Sequence, residues 1–123
     1  MHFARESLQA NVIRAVEGGR VRIGEQWFSS PLIVSAEKIV TDWQPGGCEE
    51  LTLTQLEPVL ALEPEILLIG SGPGPVLPNV ELIGALAKLG VGLEMMTTDA
   101  ACRTFNVLVN EYRRVVVALF DAG

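Results

Sequence analysis

The sequence predicts a single three-layer α/β domain with a mixed central sheet. That sheet contains a β-α-β unit, and an additional N-terminal antiparallel ribbon lies beside it. Three observations carry the prediction. Ile66 to Ile69 is an unbroken apolar run, followed by a Gly/Pro loop, a helically spaced segment and a second apolar run from Val91 to Met95. Val115 to Phe120 is unbroken and apolar as well. Between Val12 and Trp43, short β-type runs alternate with glycine turns. Runs without polar alternation suit strands covered on both faces. A strand, a crossover helix and a strand form a right-handed parallel pair in one sheet.

In chain order, Met1 to Asn11 has no periodic pattern and is expected to be loosely held. His2, the sole histidine, lies there, which argues against a placed catalytic imidazole or a multi-histidine metal site. Val12 to Val16 reads as a strand, and Glu17-Gly18-Gly19 reads as a hairpin turn. Arg20 to Ile23 alternates polar and apolar residues. Gln26 to Ser29, Leu32 to Ser35 and Lys38 to Trp43 complete an expected antiparallel meander beside the core. Gln44 to Gly47 is a loop by composition. Thr54 to Leu62 reads as a short helix with Thr54 as N-cap and Glu57 at the capping-box position.

The next helix is expected from about Pro78 to Leu89, with proline in its first turn. Val80, Ile83, Leu86, Ala87 and Leu89 are expected to face inward, and Gly90 to end the helix in the left-handed region. Thr97-Thr98-Asp99 opens a further helix, capped by a threonine and favoured by the acid at the positive end of the dipole. Ala101, Phe105, Leu108 and Tyr112 share one face of it. Arg113 to Phe120 closes the chain as a strand. No internal repeat, linker or low-complexity tract divides residues 1–123, so one domain is expected.

The apolar share is 49%, and 12 glycines in 123 residues bring it to roughly 59%, above the typical 45–50%. The excess requires either a large core or a surface that meets a partner. Fifteen acids against nine bases leave a net charge of −6, which disfavours binding to a phosphate backbone or to anionic lipid. Two cysteines make no disulfide scaffold. No secretory signal pattern and no window of membrane-spanning length are read, so the expected compartment is the cytoplasm, with no direct membrane insertion.

A crevice is expected at the carboxyl ends of the two parallel strands. Its candidate ligand-binding residues are Gly70, Ser71, Gly72, Glu94, Thr98, Arg103 and Asn106. The Gly70-x-Gly72-x-Gly74 loop only imitates a dinucleotide fingerprint. Position 75 is proline, and Pro73 and Pro75 remove N–H groups that a phosphate would want. Rigid turn is the simpler reading. Glu94, Arg103, Thr104 and Asn106 admit two readings, a binding group or a capping and ion-pair network. Cys102 near a helix start beside Arg103 has features of an activated thiol, but it lacks a base and reads as a buried small hydrophobe. No catalytic residue, metal site or cofactor is assigned.

The stretch from Glu94 to Leu108, together with Glu111, Arg113-Arg114-Val115, Ala118-Leu119, Pro64-Glu65, Gly70-Ser71-Gly72 and Pro78, resembles the family of mitochondrial complex I assembly factor 3 and its small bacterial and archaeal relatives. The resemblance spans roughly Gly24 to Phe120. It implies a three-layer α/β fold with a mixed sheet and no established catalytic residues. For the mitochondrial members it implies a non-enzymatic role in assembling the NADH:ubiquinone oxidoreductase. Phe105 stands where a tyrosine is common in that family. The function expected is a non-enzymatic interaction domain contacting other proteins or a second copy of itself, and no nucleic acid. The alternative is a small-molecule or anion binder, or a weak enzyme, using the crevice.

Overall fold

Ile66–Gly70 (β6) and Gly92–Met96 (β7) lie side by side and parallel, in register from Ile66 against Gly92 to Gly70 against Met96. The computed structural model describes residues 10–120, apart from Pro75 and Pro78. The expectations for residues 1–9, His2 among them, and for Pro78 therefore lie outside the described residues. Val80–Lys88 (α2) connects the two parallel strands, as the apolar runs predict. Val115–Leu119 (β8) pairs parallel to β6 on its other side. All five residues of β8 are buried, which explains a run with no polar alternation.

Leu32–Ser35 (β4) pairs antiparallel to β8, and Ile39–Val40 (β5) pairs antiparallel to β4. The mixed central sheet therefore has the order β5-β4-β8-β6-β7. Ile13–Glu17 (β1), Arg20–Ile23 (β2) and Gln26–Ser29 (β3) form a separate antiparallel ribbon. The expected meander thus divides: its first three strands make the ribbon, and β4 and β5 join the central sheet. Leu32, Ile33 and Val34 are buried without alternation, as a strand inside a two-sided sheet must be and a ribbon strand need not be. The last expected strand of the meander shortens from Lys38–Trp43 to two residues. Trp43 instead packs edge-on against Phe120 and donates its indole N–H to the Gln55 carbonyl at 2.8 Å.

One face of the sheet packs on α2 and on the segment of short helical turns that includes Glu57–Leu60 (α1). Leu56, Val59, Leu67, Ile69, Leu82 and Leu86 are buried there. The other face packs on Thr98–Asn110 (α3) and the ribbon, around Phe105, Leu68, Val117, Val21 and Ile23. Three layers result.

Three local expectations need correction. Thr54 is not a helix cap. It lies inside a 3-10 turn, Thr54–Leu56, that runs into α1, where no side-chain cap bond forms. The inward face of α2 is Leu82 and Leu86, while Val80 is 80% exposed and Ile83, Ala87 and Leu89 are exposed as well. The phase is set by Asn79, whose side-chain oxygen accepts from the N–H groups of Glu81 and Leu82 and so fixes where the first turn begins. Tyr112 leaves the buried face of α3, because the helix ends at Asn110 and Tyr112 takes φ +62. Gly90 does take the left-handed conformation after α2, with φ +81.

Candidate functional site

The loop after β6 and the start of α3 meet at the carboxyl ends of the parallel strands. Thr97 caps α3, its hydroxyl oxygen accepting from the Ala100 N–H at 3.4 Å, with Asp99 in the first turn. The Ser71 N–H donates to the Met96 carbonyl at 2.8 Å, which ties the loop to the end of β7. The Ser71 hydroxyl donates to the Gly74 carbonyl at 2.8 Å and lies 3.1 Å from the Met96 carbonyl. The Gly72 N–H donates to Thr98 Oγ1 at 2.9 Å, and the Thr98 N–H donates to the Gly72 carbonyl at 2.9 Å. The Gly70 carbonyl accepts from the Phe120 N–H. These polar groups point at each other. A buried polar group needs a partner, and here the loop and the helix supply one another's.

Gly70, Ser71, Gly72 and Thr98 are therefore brought together, and the other three candidates are elsewhere. Glu94 stands exposed in the middle of β7, in register with Leu68. Arg103 is exposed on α3. Asn106 is farther along α3 and is a clamp: its side-chain oxygen accepts from the Ile13 N–H, and its amide donates to the Ile13 carbonyl, each at 2.9 Å. Both bonds hold β1 of the ribbon to the helix. Arg103 and Asn106 share a shallow hollow of about 220 Å³ with Arg14 and Asp99. A larger open concavity of about 630 Å³ lies beside Asn106, Asn110 and Tyr112.

Cys102 is buried, and desolvation, with Asp99 adding to it and Arg103 opposing it, pushes the thiol up to about 12. A thiol so held is not a nucleophile at neutral pH. Cys48 is also raised, by burial and then by Glu49. At the opposite end of the sheet, hydrogen bonds from Arg113 and from the Arg114 N–H hold the Glu65 carboxyl below the ordinary glutamate range. Among the described residues no group of three or more His, Cys, Asp or Glu is placed to hold a metal ion. No described helix is long and apolar enough to cross a membrane.

These features define a three-layer α/β domain whose central strand-to-helix junction is closed on itself. Residues 13–120 match the family described as "Protein of unknown function (DUF498/DUF598)"; the chain belongs to this family. It is 38% identical over 120 residues to a "13 kDa major membrane protein" of Francisella tularensis, covering 94% of this chain and 95% of that one. It is 32% identical over 82 residues to the "NADH dehydrogenase [ubiquinone] 1 alpha subcomplex assembly factor 3" of Danio rerio, covering 65% of this chain and 47% of that protein. The chain thus spans about half the length of that relative. The crystal structure of a Bordetella parapertussis protein superposes with a TM-score of 0.83 at 35% identity, covering 92% of this chain and 97% of that one.

Proposed function

We propose that this chain is a non-enzymatic protein-interaction domain with a part in assembling respiratory complex I. The observation that carries it is the self-satisfied junction of Ser71, Gly72 and Thr98, whose polar groups are engaged with one another and with the Met96 carbonyl. Apolar side chains stand in solvent nearby in sequence, Leu77 and Val80 among them, and exposed apolar surface is what a partner covers. The likeness to named assembly factors supplies the partner class. In this reading the chain acts from the cytoplasm, and its acidic balance keeps it off nucleic acid. The test is deletion of the coding region with native-gel measurement of complex I, alongside recovery of partners by a tagged chain at native expression. Loss of assembled complex and co-recovery of its subunits support the reading. Unchanged complex I with no recovered subunit overturns it.

A second reading has one observation in its favour. Arg14 and Arg103 line the same small hollow with Asn106, an arrangement that suits a small anion, although Asp99 opposes it. This differs from a crevice built on Gly70, Ser71, Gly72, Glu94 and Thr98. A thermal-shift series with phosphate, sulfate and small carboxylates tests it, and no stabilisation by any of them removes it.

A further inference from the structure

The negative charge of the chain is confined to one stretch. Between Lys38 and Lys88 there are seven acids and no base, while the remaining residues hold eight acids against nine bases. Outside β5 and β6, that stretch builds the layer of short helical turns and α2 on one face of the sheet. Glu49, Glu50, Glu57 and Glu81 of this layer are exposed. Lys88, at the end of α2, is its one base.

The same layer carries much of the apolar surface. Leu77, Val80, Ile83 and Leu89 are four of the seven large hydrophobic residues exposed among those described. Leu82 and Leu86 turn α2 toward the sheet. At about 100° per residue, Gly84 then falls on the opposite side of the helix, with Val80 one turn before it and Ala87 one turn after. All three are exposed. This is the side on which a surface helix normally carries polar residues. A Cβ built on Gly84 meets nothing within 4 Å. Glycine inside a helix is unfavourable relative to alanine, and no contact among the described residues requires it. It leaves the backbone of α2 accessible to close approach from outside.

We propose that the outer face of α2, from Leu77 through Val80 and Gly84 to Ala87, docks a cationic amphipathic helix of another protein. The proposal rests on the interaction reading above and adds its surface and the chemistry of the partner. The sign of the surrounding charge chooses among the occupants of an apolar face. Nucleic acid and anionic lipid carry charge of the same sign as Glu49, Glu50, Glu57 and Glu81. A second copy brings those same acids, with Lys88 as the one base of the layer to answer them. A helix with an apolar stripe flanked by lysine or arginine matches both features at once. Its stripe lies along Val80, Gly84 and Ala87, and its flanking bases meet the acids. Gly84 lets the two helix axes come to the near end of the usual separation of about 8–10 Å.

The test uses the purified full chain and a synthetic peptide of about 14 residues, with leucine on one helical face and lysine on the other, enough for roughly four turns of helix once bound. Calorimetric titration is expected to show binding that weakens as salt is raised. Val80→Ser and Gly84→Gln are each expected to raise the dissociation constant about tenfold, without lowering the melting temperature of the free chain. Glu57→Gln combined with Glu81→Gln is expected to weaken binding and flatten its salt dependence. Amide signals that shift on binding are expected to cluster in α2. An oligolysine of the same charge that binds as tightly overturns the proposal, because charge alone then suffices. So does absence of binding, or binding indifferent to both Val80→Ser and Gly84→Gln. A dimer of the free chain that Val80→Ser dissolves makes a second copy the occupant and overturns it too. Amide shifts in residues 1–9 on Val80→Ser make the chain's own N-terminal segment the occupant, with the same result. Each of these outcomes leaves the assembly reading standing, because that is measured in cells by complex I content.

Discussion

Gly72 and Thr98 hold each other by two hydrogen bonds of 2.9 Å, each residue giving its N–H to an oxygen of the other. Thr98 is 1% exposed, and its hydroxyl oxygen is engaged inside the fold by the Gly72 N–H. Thr98→Val keeps the shape and removes the acceptor, leaving the buried Gly72 N–H unpaired. A loss of about 1–3 kcal/mol in urea denaturation is expected, and Thr98→Ser is expected to recover most of it.

The neighbouring Gly70 is required for room. A Cβ there would fall 2.9 Å from Leu119 Cδ2 and 3.0 Å from Thr98 Cα. The leucine methyl can turn aside, but the backbone of α3 cannot do so cheaply. Gly70→Ala is expected to cost about 1–3 kcal/mol as an overpacked core position, measured as a lower denaturation midpoint with an unchanged slope.

Asn106 bridges to both backbone groups of Ile13 across 93 positions of sequence. Asn106→Ala is expected to loosen the ribbon more than the sheet. Amide exchange in β1 is expected to speed up severalfold while β8 keeps its protection, since local openings can be lower in free energy than global ones. Equal acceleration of both would show that ribbon and sheet open as one unit.

Tyr112 takes φ +62 just after α3 and is 95% exposed. A bulky residue in the left-handed region is strained, and here the ring makes no compensating buried contact. Tyr112→Gly is expected to stabilise the fold by up to about 1 kcal/mol, visible as a rise in melting temperature of roughly 4 °C.

Two groups set pH limits of opposite sign. The Cys102 thiol is raised from 9.0 to about 12 in the fold. Its contribution is therefore fully present below pH 9.0 and is lost as pH rises toward 12. Thiol reagents at mildly alkaline pH are expected to label Cys102 only after denaturation. Glu65 is lowered by Arg113, so its contribution is present where an ordinary glutamate is ionised and is lost as pH falls through the depressed value. Both partners are partly solvent-exposed, so the effect is small. The stability difference between the parent chain and Glu65→Gln is expected to shrink to nothing in acid.

The β-α-β unit and the last strand were legible because both-face burial leaves a plain mark: Ile66 to Ile69 and Val115 to Leu119 contain no polar residue. The fate of β4 was written in the same mark at Leu32-Ile33-Val34, but a short run between two turns also fits a ribbon, and only long-range pairing with β8 decides. The phase of α2 was illegible because the helix is apolar nearly all round, so spacing alone does not choose Leu82 and Leu86 over Val80 and Ile83. Of the candidate site, Gly70, Ser71, Gly72 and Thr98 meet as sequence position suggests. Asn106 is drawn to the ribbon by a contact that no local pattern announces. Glu94 is in the edge strand by register, two residues short of the junction.

The strand in the middle of the sheet, β8, comes from the end of the described chain. During synthesis, β4 and β6 must each wait with an open side until residues 115–119 leave the ribosome. The sheet cannot grow outward from an early nucleus; it is completed by an insertion. A chain cut before Val115 would leave β4 and β6 each with an unpaired side, and residues 115–119 supply both missing pairings.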